Sequence, residues 1–199
     1  MMNSSILASR FMKASMEEAS PVEMEYTFYG RVRDLRNLYK LAIRSERQEQ
    51  WQTPLGLDKG VKARIRKTND SEYTLTTKEK NMAGKGSLEN TAIITEGLYN
   101  SLKKVSENGY IKTRYVIPIP GTNLLWEVDV FKNNQGQDSD WVKIDLEVPA
   151  IDTALPKDLP VPFIEFISHQ SKSLTPEEKA KIDELWESHW QRLDYDVNE

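Results

Sequence analysis

The chain has 199 residues, with 27 Lys+Arg against 31 Asp+Glu and a formal net charge of −4. That weakly acidic balance argues against a general nucleic-acid coat or a basic membrane-surface binder, and leaves only local basic clusters to hold phosphate. There is no cysteine and only two histidines, His169 and His189, which excludes disulfides and cysteine nucleophiles and leaves carboxylates to hold any metal, hence a hard one.

Residues 1–20 read as a flexible or weakly helical leader. Their apolar stretch is too short and broken for a secretory signal, and Glu17 and Glu18 argue against a transit peptide. Strand-like alternation begins at Val22, with Glu23, Glu25 and Thr27 on one face and Val22, Met24, Tyr26 and Phe28 on the other. Asp34 is positioned to cap a helix through about residue 49, with Leu35, Leu38, Tyr39, Ala42 and Ile43 on one side. Alternation returns at residues 61–66, which put Lys62, Arg64 and Arg66 together, and at 73–78, which gather Thr74, Thr76 and Lys78. Residues 81–87 (NMAGKGS) read as a flexible loop. Thr95 can cap a second helix with Leu98, Leu102 and Val105 inward and Gly109 as its stop.

Three further strands follow. Lys112 pairs with Arg114 in the first, Glu127 with Asp129 in the second, and Lys143, Asp145 and Glu147 share a face of the third, with a turn at Asn133–Asp140 before it. Thr175-Pro176-Glu177-Glu178 is a helix start, with Thr as N-cap, Pro at the first helical position and Glu three residues on. Ile182, Leu185, Trp186, His189 and Leu193 then recur at helical spacing, so this helix docks its Trp186 face on the main domain or on a partner. No segment has the length and apolarity of a bilayer span. The cysteine-free composition suits a cytoplasmic protein.

Each strand alone reads as amphipathic, with charges in water. Together they are sorted by sign: acidic rows, basic rows and one row of hydroxyls with a lysine. A solvated surface mixes signs along each strand. Sorted rows place the polar faces across an enclosed space, where acidic rows hold metal and basic rows hold a polyanion. Gly84-Lys85-Gly86 lacks the spacing of a phosphate loop, and no GxSxG or serine–histidine pairing is present.

In this order the strands resemble the CYTH superfamily, the triphosphate tunnel metalloenzymes, over about residues 22–168. The most specific stretch is Trp126-Glu127-Val128-Asp129-Val130-Phe131, a Gly-containing turn, then Ile144-Asp145-Leu146-Glu147-Val148-Pro149. The family's opening ExExK corresponds to Glu23-Met24-Glu25-Tyr26-Thr27, its RxR to Arg64-Ile65-Arg66, its TxK to Thr76-Thr77-Lys78 and its KxRY to Lys112-Thr113-Arg114-Tyr115. The resemblance implies an α+β chain built on an eight-stranded antiparallel β-barrel, open at both ends, with helices packed outside and a C-terminal helix. The domain plan is then a leader at 1–20, a tunnel domain at 21–168 and a helical extension at 169–199.

The resemblance also implies a divalent-metal-dependent phosphohydrolase acting on a triphosphate. Arg64, Arg66, Lys78, Lys112 and Arg114 would bind the phosphates, and Glu23, Glu25, Asp145 and Glu147 would hold Mg2+ or Mn2+. Glu127 or Asp129 would orient the attacking water. The ligand would be a small molecule carrying a triphosphate, or a 5′-triphosphorylated RNA end. Two departures matter: the family lysine of ExExK is Thr27 here, and of the strand after TxK only Glu89 survives, while Glu165 stands where a late glutamate is expected. They keep three other readings in view. These are a non-catalytic binder of nucleotides or polyphosphate, a partner-binding protein using the C-terminal helix, and an adenylyl cyclase.

Overall fold

Period-two segments become strands because successive side chains leave a pleated backbone on opposite faces, one toward an aliphatic core and one toward a polar interior. The computed structural model describes residues 22–32, 34–55, 60–80, 87–106, 108–133, 135–150, 153, 156, 160, 163–169 and 175–189. The strands are β1 (Val22–Glu23), β2 (Glu25–Val32), β3 (Arg44–Thr53), β4 (Lys62–Thr68), β5 (Glu72–Lys80), β6 (Ser87–Ile93), β7 (Asn108–Pro118), β8 (Leu125–Lys132), β9 (Asp138–Glu147) and β10 (Phe163–His169). The helices are α1 (Arg36–Leu41), α2 (Glu96–Lys103) and α3 (Pro176–His189). The expected leader, the loop at 81–86, Leu193 and the side chains of Glu23, Glu165, His169, Leu185 and His189 lie outside the described residues.

All strand pairs are antiparallel, in the order β1-β6-β5-β4-β3-β7-β8-β9-β2-β10. β1 and β2 are one extended run interrupted at Met24, whose carbonyl accepts the Val148 N–H at 2.9 Å. The sheet therefore curls round until its ends meet through this run. The expected barrel is β2 to β9, but it is not sealed all round: only Val22↔Leu88 and Glu23↔Ser87 join β1 to β6. β10 takes the other edge of β2 from Thr27 to Val32.

The outward faces of β2, β7, β8 and β9 form the main core, including Phe28, Trp126, Val128, Val130, Val142, Ile144 and Leu146, with α1 adding Leu38. A second cluster packs Tyr99 of α2 on Trp51 and Ile65. Thr95 caps α2 by accepting the Leu98 N–H at 3.2 Å, but Tyr99 is the residue α2 buries, and Val105 is exposed. Gly109 is no helix stop. It lies in β7, where a Cβ would stand 2.4 Å from two carbons of the Trp51 ring. Gly109→Ala is expected to cost about 1–3 kcal/mol through overpacking; an unchanged Tm would show that the indole moves aside freely.

The helix expected from Asp34 to about residue 49 ends at Leu41. Asp34 does accept the Arg36 N–H at 2.9 Å. Ala42 is already extended, and Arg44–Thr53 (RSERQEQWQT) is a central strand paired with β4 and β7. Arg, Glu and Gln favour helices weakly, and the two neighbouring strand edges override that preference. β4 turns into β5 at Asn69 (φ 48°) and Asp70 (φ 61°), types that tolerate the left-handed region.

Candidate functional site

The inward faces enclose a cavity of about 860 Å³. Arg64, Arg66, Lys78, Lys112 and Arg114 all line it, as do Glu25, Glu127, Asp145 and Glu147. A second cavity of about 260 Å³ near the β4–β5 turn shares Arg64 and Arg66 with the first and adds Thr68, Thr74 and Thr91. The arginines thus sit where the two spaces meet. Asp129 is not among the lining residues; it is wholly buried beneath Lys112 and Arg114.

Asp129 accepts from Arg114 Nε at 2.8 Å and Nη2 at 2.9 Å, and also from Lys112 Nζ. Burial works against its ionisation, but the charges of Arg114 and Lys112 win and hold the carboxyl well below the usual carboxylate range. Burial, then Arg114, outweighs Asp129 at Lys112 and pulls the ammonium well below its ordinary value. Arg114 also bonds Glu127 and approaches Asp145 at 3.6 Å. Burial lowers its basicity, but Asp129 and then Glu127 raise it further, leaving it well above the ordinary value.

Asp145 accepts from Thr27 Oγ1 at 2.8 Å and from Lys143 Nζ. Thr27 and Lys143 thus meet at Asp145, and Lys143 supplies a positive charge there. On the opposite wall Arg64 Nη2 bonds Glu89 Oε1 at 2.7 Å, and Lys78 Nζ lies 3.3 Å from Glu25 and 3.5 Å from Glu89. Among the described residues Arg64 Nε and Gln48 Oε1 are buried without a hydrogen-bond partner, a state that calls for a ligand or water.

Glu25, Asp145 and Glu147 are hard oxygen donors that the register sets close together, Glu25 opposite Glu147 and Asp145 opposite Glu127. Their chemistry fits Mg2+ or Mn2+, and like charges placed directly opposite need a counter-ion. Lys78, Lys143 and Arg114 fill that role. No group of three metal-binding side chains is gathered among the described residues.

Three features were not anticipated from sequence. Glu46, Gln48, Gln50 and Gln52 form an inward row on β3. Their signal was a period-two row whose partner face, Arg47, Glu49 and Trp51, is also largely polar. Gln50 Oε1 accepts from Arg66 Nε at 3.2 Å and Nη2 at 3.0 Å. Tyr110, on β7, gives its hydroxyl to Gln50 Nε2 as acceptor.

The third is where α3 docks: its Trp186 face meets the main domain, as expected, but on the inward face of the strands. Its capping box closes both ways, Glu178 N–H to Thr175 Oγ1 at 3.2 Å and Thr175 N–H to Glu178 Oε2 at 2.8 Å. Trp186 packs on Phe131, Tyr110 and Tyr29 at centroid distances of 5.2, 5.5 and 6.2 Å. Those rings are inward-facing, so α3 docks in a mouth of the barrel, with Asp183 and Glu187 lining the cavity. Asp183, Trp186 and Glu187 thus bring this helix to the border of the cavity. Among the described residues no helix is long and apolar enough to cross a membrane.

No family model and no curated protein matches the chain. Among solved structures, the inorganic triphosphatase NE1496 is 20% identical over 77% of this chain and 91% of its own, with a TM-score of 0.48. A Bacillus halodurans protein proposed to be an adenylate cyclase is 14% identical over 67% and 83%, with a TM-score of 0.44. The Schizosaccharomyces pombe Mediator head module is 13% identical over 66% and 85%, with a TM-score of 0.38.

Proposed function

We propose that the tunnel binds the triphosphate group of a small molecule and hydrolyses it. The observation that carries this reading is the convergence of Arg64, Arg66, Lys78, Lys112 and Arg114, from three strands, on one cavity of about 860 Å³, within the range of small-ligand pockets. Arginines contribute paired, charge-assisted contacts to phosphate oxygens and lysines contribute compact charge.

In the absence of ligand, most of these cations are held by tunnel carboxylates. Phosphate oxygens compete for them. When Arg114 turns toward phosphate, Glu127 is released from it and is free to hold a water. A water held by Glu127 attacks the terminal phosphorus. The new P–O bond forms as the bridging P–O bond breaks, the proton goes to Glu127, and orthophosphate and the shortened phosphate chain leave. Asp129 has the structural role of neutralising Lys112 and Arg114. A divalent ion, where turnover needs one, would be held by Glu25, Asp145 and Glu147 and would supply positive charge to the phosphates.

The test is a melting series with inorganic triphosphate, ATP, GTP, thiamine triphosphate and a 5′-triphosphorylated RNA, with and without Mn2+, scored for released phosphate in the same wells. A ligand at about 100 times its Kd stabilises by about 2.7 kcal/mol, a readable shift. A shift with phosphate release is the expected result. A shift without release favours the non-catalytic binder, a reading supported by the many carboxylates already engaged by Lys and Arg. Pyrophosphate release from ATP would indicate a cyclase. No shift with any ligand would overturn the reading and turn attention to a protein partner for α3.

A further inference from the structure

The tunnel cations divide by the charge of their partners. Arg64 and Lys78 reach Glu89 and Glu25, Lys112 and Arg114 reach Asp129, and Lys143 reaches Asp145. Among the described half-buried or buried cations of the tunnel, Arg66 stands apart. Its hydrogen bonds go to a neutral amide, Gln50 Oε1, through Nε and Nη2. Burial and the neighbouring guanidinia of Arg64 and Arg114 lower its basicity, the mark of a positive local field. An arginine stays protonated there regardless, so its charge is left for an anion.

Gln50 is itself fixed. It is 3% exposed, its backbone register sets it opposite both Arg66 and Tyr110, and its amide nitrogen donates to the Tyr110 hydroxyl. That bond settles which end of the amide faces the guanidinium, because the nitrogen is committed to Tyr110 and the oxygen turns to Arg66. The fork is thus held on one edge and presents its remaining N–H groups to the cavity. A carboxylate at the same position would hold Arg66 equally well and cancel its charge.

We infer that Gln50 is a positioning residue: oriented by Tyr110, it holds Arg66 in place with a neutral acceptor so that the full guanidinium charge is offered to the triphosphate. This inference rests on the triphosphate-binding reading above. It adds that the choice of amide over carboxylate is itself a determinant of affinity, and it assigns a role to the polar row of β3.

The test uses the full chain and inorganic triphosphate as probe, with Mg2+ present, and reads Kd and Tm together. Gln50→Glu adds a partner for a buried cation, so Tm is expected to hold or rise while triphosphate affinity falls about tenfold or more, the worth of one strong charge-assisted contact. A structural role alone would move both in the same direction. Tyr110→Phe is expected to weaken affinity by a smaller factor, because Gln50 then loses the partner that orients it. In an Arg66→Ala background, Gln50→Glu is expected to add little further loss of affinity. Binding by the wild type that Gln50→Glu leaves unchanged would overturn this inference alone. No binding by the wild type would overturn the triphosphate reading and this inference with it. Should Gln50→Glu fail to fold, Gln50→Met, which removes the acceptor without adding charge, is expected to weaken affinity in a folded protein; unchanged affinity there would equally overturn the positioning role.

Discussion

Asp129→Asn is expected to destabilise the protein by about 3–5 kcal/mol, the cost of leaving buried charge without its partner. Asp129 is 0% exposed and accepts both Arg114 contacts and the Lys112 contact. The neutral amide keeps the shape but leaves two buried cations facing each other across it. At about 2–4 °C per kcal/mol for a chain of this size, Tm should fall by about 10 °C. The comparison is Asp140→Asn, which removes the partner of the exposed Arg31 ion pair and should cost less than about 1 kcal/mol.

The pH dependence has a definite sign. Asp129 is held below its ordinary value of 3.8 in the folded state. Its contribution is therefore complete above that value and is lost as pH falls toward the folded one. Wild type and Asp129→Asn should differ most above about pH 4 and converge in acid. A difference that grew in acid, or a Tm equal to wild type at pH 7, would show that the Lys112–Asp129–Arg114 cluster does not hold the wall together.

Arg66→Ala is expected to weaken inorganic triphosphate binding about 100-fold while leaving Tm near the wild-type value. Two charge-assisted hydrogen bonds at about 1.5 kcal/mol each account for that factor. Among the described residues Arg66 has no carboxylate partner whose charge would be stranded, and its removal relieves repulsion with Arg64 and Arg114. Arg114→Ala should behave differently. It strands Asp129 and Glu127 and should lower Tm as well as affinity. Titration calorimetry at two salt concentrations checks both variants, since attraction to a polyanion weakens as ionic strength rises. Equal affinity in wild type and Arg66→Ala would remove Arg66 from the site.

Much of the site is legible in the chain because a strand carries its orientation in its parity. Arg64 and Arg66, Lys112 and Arg114, and Glu127 and Asp129 are each two residues apart, so any sheet that buries the intervening aliphatics must put each pair on one face. What was hidden is β3. Glu46, Gln48, Gln50 and Gln52 alternate with residues that are nearly as polar, so hydrophobic contrast gives no strand signal there, and helix-favouring residue types point the other way. Gly109 misled for a related reason: the glycine that ends a helix and the glycine that makes room for an indole look alike until Trp51 is placed beside it.

Local rules alone determined the polar and apolar faces of most strands, the sorting of charge along them, the capped start of α3 and the absence of cysteine chemistry. These depend on spacing and residue type, which the chain states directly. Only the tertiary structure decided which charges meet. Lys143 reaching Asp145 beside Thr27, Asp129 buried beneath Lys112 and Arg114, Gln50 holding Arg66 and Trp186 settling against the inward rings all depend on register between strands far apart in the chain. Register is set by the summed pairing of every strand, and a short motif records only its own share of that sum.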